Sequence, residues 1–473
     1  MQLSSSSELK KQLFFNSKHL HDDTADAEWK QVSSFVEGYK TFLSACKTER
    51  ECVAHIKAEV QKKGFEEFDY NRKYNPGDKF YYVNRKKAMI IGTIGKQSLE
   101  SGLNLLVSHI DSPRIDLKPK PLYEKEELAY FKTHYYGGIK KYQWTTIPLA
   151  LHGKLIKRDG QEVDLMVGED ADDPIFCISD LLPHLASEQM KRPVSRGVLG
   201  EELNLVVGSL PFKTADQDEK PDASERVRLN VLKLLNERYG IVEQDFITAE
   251  LCLVPAGKAR DVGFDRSLIC AYGQDDRVCA YTALCAHLEL KSPTYTTLTV
   301  LADKEETGSD GNTGLKSAFL LHFIRDLAEQ TGYDYRRALR NSCCLSADVN
   351  AAYDPAWPDV FEKNNSSLLN HGVVVTKYTG SGGKFGTADA SAEFVYRVTS
   401  LFDEKKITWQ PGMLGKVDIG GGGTVAKYMA NLDMDVVDIG VPVLSMHAPY
   451  EITAKLDVFM LKNALLAFAS REG

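Results

Sequence analysis

Four apolar runs in the 473-residue sequence each end on a group that binds metals. "LNLLVSHID" closes on His109 and Asp111, and "TLTVLAD" leads directly to Glu305 and Glu306. "SCCLSAD" closes on Asp348 and "VVDIGVPVLSMH" on His447. Short, strongly apolar runs of this kind read as strands buried on both faces. From about Gly257 they alternate with helical patterns. "DDRVCAYTALCAHLEL", "TGLKSAFLLHFIRDLAEQTG" and "DASAEFVYRVTSLFDEKK" read as helices; "TYTTLTVLAD", "NSCCLSAD" and "DMDVVDIGVPVLSMH" read as strands. The alternation predicts an α/β sheet sandwiched by helices. Ligands of such sheets bind beyond the carboxyl ends of the strands, so the four groups could converge there. A fifth candidate, Asp275 in "AYGQDDRVCAY", stands where a loop enters a helix, at an N-cap position.

The chain is too long for one compact core, which predicts two domains or a large one with an insertion. The first ~65 residues read as helices. "AEWKQVSSFVEGYKTFLSAC" has apolar residues at three- and four-residue spacing, and "TERE" from Thr48 to Glu51 resembles a capping box. "FYYVNRKKAMIIGTIG" reads as a hairpin. From about Pro119 to Pro255 the composition turns to aromatics, β-branched residues and turns, and residues 119–257 read as an inserted domain. Within it, the polar stretch from Lys213 to Arg226 reads as a mobile loop.

A net charge of −8 and no block of like charge argue against nucleic acid or a polybasic membrane anchor as partner. No apolar run has the length of a membrane span, and the N-terminus lacks the pattern of a secretory signal. Nine scattered cysteines contain no C-x-x-C pair, which argues against a cysteine zinc site and for buried thiols in a reducing cytoplasm.

Adjacent carboxylates at the end of a buried strand repel each other, and burial without a positive partner is costly. Taken singly, a strand-end Asp reads as a cap and a strand-end His as a hydrogen-bonded core residue. Sharing one end of a sheet is what changes the reading, because independent caps have no reason to gather. Asp275, Glu306 and Asp348 supply three negative charges beside the neutral ligands His109 and His447. Two zinc ions and one hydroxide neutralise that set, so a buried two-zinc site is electrostatically reasonable. Glu306 then binds metal and Glu305 faces the water as general base, provided the strand breaks at the following Thr-Gly. Asp111, two residues after His109, is placed to orient that imidazole or its metal.

The motifs "HIDSPRIDLKP", "YGGIKKYQWTTIPLALHGKL", "LLPHLASEQ", "YGQDDRVCAYTAL", "DKEETGSDG", "SADVNAAYDP" and "LSMHAPYE" resemble, in order, the aspartyl aminopeptidase and vacuolar aminopeptidase I family. The resemblance runs from about residue 80 to the C-terminus. It implies a mixed-sheet α/β/α dizinc exopeptidase domain, residues 1–118 and 258–473, interrupted by a β-rich dimerisation domain at 119–257. It also implies removal of N-terminal residues from peptides with a free N-terminus, and a tetrahedral homododecamer built from dimers. His109, Asp275 and Asp348 would hold one zinc, and Asp275, Glu306 and His447 the other, with cobalt or manganese as substitutes. Glu305 would be the base, Asp111 the orienter, and His184 a residue reaching a neighbouring subunit's substrate site. The chain departs from the family in "WTTIPL", in "GGGGTVAKYM" and in "QDDR", so the resemblance does not carry over a preference for acidic residues.

The glycine-rich stretches do not form known nucleotide loops. "GTIGKQS" and "GSGGKFG" lack the P-loop spacing, and "GGGG" at 420–423 reads as a tight turn or a backbone approach to substrate. H-E-x-x-H and G-x-S-x-G are absent. Two other readings remain open at this stage: a sibling deacylase or carboxypeptidase, and a catalytically silent shell-forming scaffold.

Overall fold

A computed structural model describes residues 6–15, 17–214 and 224–472. The polar stretch expected as a mobile loop falls largely on residues 215–223, outside the described residues.

The apolar runs form the middle of a nine-stranded sheet. Its order is Glu66–Glu67, Lys79–Asn84, Ala88–Thr93, Thr296–Ala302, Leu103–His109, Cys343–Ala347, Asp435–Gly440, Val373–Thr376 and Trp409–Pro411. The four strands from Thr296–Ala302 to Asp435–Gly440 run parallel. Register aligns their ends: Ala302 lies opposite His109, and Ala347 opposite Ile439. The hairpin expected at 80–95 is the antiparallel pair Lys79–Asn84 and Ala88–Thr93.

Period-two alternation sorts these strands between two cores. Leu106, Leu345 and Val437 face the helices Asp26–Ala45, Gln274–Glu289, Ala392–Glu404 and Lys455–Ala469. Leu105, Val107, Cys344 and Val436 face Phe319–Thr331 and Ala426–Ala430. A strand buried on both sides has no solvent face to show, which is why the runs are mostly apolar on both faces. Leu345 is fully buried at the centre. Leu345→Ala is expected to destabilise the fold by about 2–5 kcal/mol, read as a lowered thermal midpoint.

A seven-stranded antiparallel sheet forms a second layer system with its own core around Trp144, Leu151, Phe246 and Leu253. Its strands run from Arg114–Lys125 to Glu250–Pro255, so the first begins ahead of residue 119. The region also contains a 14-residue helix, Arg226–Tyr239, which the β-rich reading omitted. Val227, Val231, Leu232 and Leu235 pack on the sheet, while Leu229 and Leu234 stand exposed on the outer face beside Glu237 and Arg238.

Two further expectations need correcting. "DMDVVDIGVPVLSMH" is two strands, not one: Asp435–Gly440 belongs to the central sheet and Pro442–Leu444 to a separate five-stranded sheet. The chain changes sheets at Gly440, where a Cβ would stand 1.8 Å from the carbonyl oxygen of Asp348, so only glycine permits the approach. The helix expected from Thr313 begins only at Phe319, because Ser309–Ser317 is spent in turns behind Glu305 and Glu306.

A buried polar cluster ties the two layer systems together. The His152 ring lies 2.7 Å from Glu51 Oε1 and 3.0 Å from Glu169 Oε1. The Lys47 ammonium donates to Glu169 and to the carbonyls of Pro255 and Gly257. Thr48 and Glu51 also form the expected capping box. Burial opposes the charge on His152, but Glu169 and Glu51 outweigh it and raise its pKa. A raised folded-state pKa gives stability that is fully present below the ordinary His value and lost as pH rises through the folded value. The stabilisation of wild type over His152→Gln is therefore expected to be on the order of 1–3 kcal/mol near pH 6. It should shrink at alkaline pH, as read by thermal melts across the range.

Candidate metal centre

The sheet delivers the site. His109 is the last residue of Leu103–His109, and Asp348 follows Cys343–Ala347. Glu305 and Glu306 open a short 3-10 turn three residues after Thr296–Ala302 ends. Lys304 precedes them at φ 68° and Gly308 follows at φ 87°; the strand has ended already at Ala302, ahead of the carboxylates and not at the following Thr-Gly. His447 sits at φ 65° between Pro442–Leu444 and Glu451–Ala454 of the small sheet, not at the end of a central strand. Asp275 is not an N-cap. Gly273 opens Gln274–Glu289, and Asp275 lies in a distorted first turn with φ −78° and ψ 110°. The distortion turns its carboxylate toward the two imidazoles.

The expected residues meet in two groups: His109, Asp275 and Asp348, and Asp275, Glu306 and His447. Within each group the potential ligand atoms lie within 4.8 Å of one another. His109 Nε2 is 3.2 Å from Asp275 Oδ1 and 3.9 Å from both Asp348 Oδ1 and Glu305 Oε2. His447 Nε2 is 3.2 Å from Asp275 Oδ2 and 3.4 Å from Glu306 Oε2. One carboxylate thus serves both groups.

Two features fit divalent cations. Each imidazole has Nδ1 against a backbone carbonyl: His109 at 3.0 Å from Asp111 O, and His447 at 2.9 Å from Gly138 O. Donation there leaves Nε2 with its lone pair toward the carboxylates, the arrangement a metal ligand needs. Asp275 Oδ1 and Glu306 Oε1 are buried without a hydrogen-bond donor. Unpartnered buried carboxylate oxygens are costly unless a cation meets them.

The electrostatics of the protein groups agree. Burial and the neighbouring Asp275 and Asp111 push Glu305 up to about 7. Burial and Asp275 raise Glu306, and burial with Asp276 raises Asp348. Burial opposes charge on His447 too, but Asp275 and Glu306 prevail and raise it to about 10. Asp275 resists the trend: the two imidazoles beside it, each 3.2 Å from one of its oxygens, overcome its burial and lower its pKa. The centre therefore carries surplus negative charge that a cation would relieve.

Asp111 does more than its spacing suggested. Its backbone carbonyl orients His109, while its carboxylate accepts the Glu305 N–H at 3.1 Å and the Glu306 N–H at 3.2 Å. Sequence reasoning missed Glu451, although "LSMHAPYE" contains it. Its buried carboxylate accepts the Asp275 N–H at 2.9 Å and the His447 N–H at 2.7 Å. Those contacts hold Asp275 in an extended conformation and His447 in a left-handed one, the latter costing about 1–3 kcal/mol when unsupported. A glutamate four residues past a candidate ligand was the only available signal. The contact from Gly138 was hidden as well, because nothing local links "YYGG" to His447. His184 joins neither group; it is exposed in a turn of the second layer system. The glycine stretches at 380–386 and 420–423 pair with each other in a two-stranded ladder, Gly380 opposite Gly422.

A mixed sheet with helices on both faces, carrying carboxylates and imidazoles at its carboxyl edge, defines a metal-dependent hydrolase. Residues 42–469 match the family described as aminopeptidase I zinc metalloprotease (M18). A Clostridium acetobutylicum protein named probable M18 family aminopeptidase 1 is 48% identical over 459 residues, 95% of this chain and 97% of that protein. A Thermotoga maritima protein of the same name is 46% identical over 434 residues, 91% of this chain and 94% of that protein. The crystal structure of an M18 aminopeptidase from Thermotoga maritima superposes with a TM-score of 0.92 at 43% identity, covering 97% of this chain and all of that one. The S. cerevisiae mApe1 dodecamer shares the fold at a TM-score of 0.73 and 21% identity, over 92% and 95% of the two chains. The chain belongs to the M18 family of zinc metalloprotease aminopeptidases.

Proposed function

We propose that this aminopeptidase works with two zinc ions, one held by His109, Asp275 and Asp348, the other by Asp275, Glu306 and His447. Cobalt or manganese would substitute. The observation that carries this reading is the pair of ligand groups sharing Asp275. When bound, the zinc pair supplies Lewis acidity that activates water and polarises the scissile carbonyl. Glu305 accepts the proton of the attacking water and passes it to the leaving amine. Its side chain is suited to that exchange: it is one-fifth exposed and lies beside His109. Asp111 fixes the main chain of the base through the Glu305 and Glu306 amides.

Residues 119–257 are proposed as the dimerisation domain of a homododecamer, with His184 reaching a neighbour's substrate site. The support within this chain is apolar exposure around that histidine: Leu181, Leu182, Leu185, Met190 and Val194 all face outward. A cytoplasmic location is proposed from nine cysteines that are all free. No helix among the described residues is long and apolar enough to cross a membrane.

A panel of aminoacyl chromogenic substrates, with zinc, cobalt or manganese, tests the reaction. Hydrolysis of substrates with a free amine is expected, with N-acetylated peptides left intact. Cleavage confined to the N-acetylated set would overturn the proposal in favour of a deacylase or carboxypeptidase.

A further inference from the structure

We infer that Tyr136 is a positioning residue through which the second sheet holds the catalytic turn in place. Tyr136 ends the strand Leu128–Tyr136, which belongs to the seven-stranded sheet and not to the central one. Its phenol donates to Asp111 Oδ2 at 2.7 Å. That same oxygen accepts the Glu306 N–H, and Asp111 Oδ1 accepts the Glu305 N–H. The connection from the second sheet to the backbone of the base thus runs through one carboxylate.

The far side of the phenol is fixed too. The Arg114 guanidinium lies 4.2 Å from the centre of the Tyr136 ring, and Arg114 is itself held by Asp116 at 2.8 Å and Glu49 at 3.1 Å. Burial keeps the phenol protonated, so it acts as a donor at any working pH. Directly after it, Gly137 at φ 74° brings the main chain past Glu306, where a Cβ would sit 3.4 Å from the Glu306 Cβ. The phenol touches neither ligand group, so its effect on the reaction passes through Asp111.

Without the phenol, Asp111 Oδ2 keeps only the Glu306 amide, and the carboxylate is free to rotate toward His109 Nδ1, 3.3 Å from Oδ1. The turn would then hold Glu305 less rigidly, a loss felt at the proton transfer more than in substrate binding. The inference rests on Glu305 as base.

The test is Tyr136→Phe in the full-length, zinc-loaded protein, with Tyr123→Phe on the same hairpin as control. For Tyr136→Phe, kcat is expected to fall about tenfold with KM within about twofold and zinc content unchanged. Hydrogen exchange in a peptide covering residues 303–308 is expected to quicken, a readout independent of turnover. The control should match wild type in all four measurements. Unchanged kcat and exchange in Tyr136→Phe would overturn the inference. So would a kcat loss accompanied by zinc loss or by a lowered thermal midpoint, since that marks a merely structural role. An active Glu305→Gln would sink the assignment of the base instead, while an inactive Glu305→Gln beside a normal Tyr136→Phe would sink only the role of the tyrosine.

Discussion

Glu305→Gln is expected to lose kcat by about 10²–10⁴-fold while retaining its zinc. Glutamine keeps the size and shape of the side chain but cannot take a proton. The residue belongs to neither ligand group, so metal content should not follow activity. Among the protein groups alone, burial and the neighbouring Asp275 and Asp111 push the Glu305 carboxyl up to about 7; a base of intermediate strength can both accept and return a proton. A stronger acid would stay ionised and give the proton away; a weaker one would already be protonated and have no room for it. The measurement is steady-state kinetics on the chosen aminoacyl substrate alongside zinc analysis of the same sample. Near-normal turnover with full zinc would remove Glu305 from the reaction. Loss of zinc together with turnover would instead make it a ligand.

The paired carboxylates were legible because the chain places charge where its apolar pattern demands burial. His109, Glu306 and Asp348 announced themselves by following continuously apolar runs, and those runs are the parallel strands at the centre of the sheet. The pattern could not reveal where a run divides between sheets. "VVDIGVPVLSMH" is mostly apolar on both sides of the break, and that break at Gly440 depends on the nearby Asp348 carbonyl, a contact distant in sequence. His447 was therefore picked out correctly as a candidate but assigned the wrong support. The N-cap reading of Asp275 failed for a related reason. A loop–helix junction with Asp ordinarily satisfies its own helix, but two imidazoles and the Glu451 carboxylate compete for this segment and distort the first turn. Tyr136, Gly138 and Glu451 left little trace in the pattern because each acts through a main-chain or second-layer contact whose partner lies elsewhere in the chain. Periodicity reports burial; it does not report which buried groups touch.

Asp275→Asn is expected to abolish activity and to weaken metal binding at both positions, whereas His447→Ala should empty one position and spare the other. The difference follows from Asp275 alone appearing in both ligand groups, with Oδ1 toward His109 and Oδ2 toward His447. Asparagine retains one oxygen and removes the charge, so it can serve one cation weakly but cannot bridge two. Altering a partner that merely orients a ligand costs about 10–100-fold in metal affinity, so loss of a shared ligand should cost more than about 100-fold at each position. Folding must be separated from binding, because Asp275 also pairs with both imidazoles in the protein itself. Thermal melts of wild type and variant in chelator provide that separation: similar midpoints there, with a gap that opens only when zinc is added, identify the loss as one of ligation. Zinc titration then reads the stoichiometry, expected at two for wild type, one for His447→Ala and none for Asp275→Asn at concentrations that saturate wild type. Full occupancy in Asp275→Asn would dissolve the shared site, and with it the reason for two ions at this edge of the sheet.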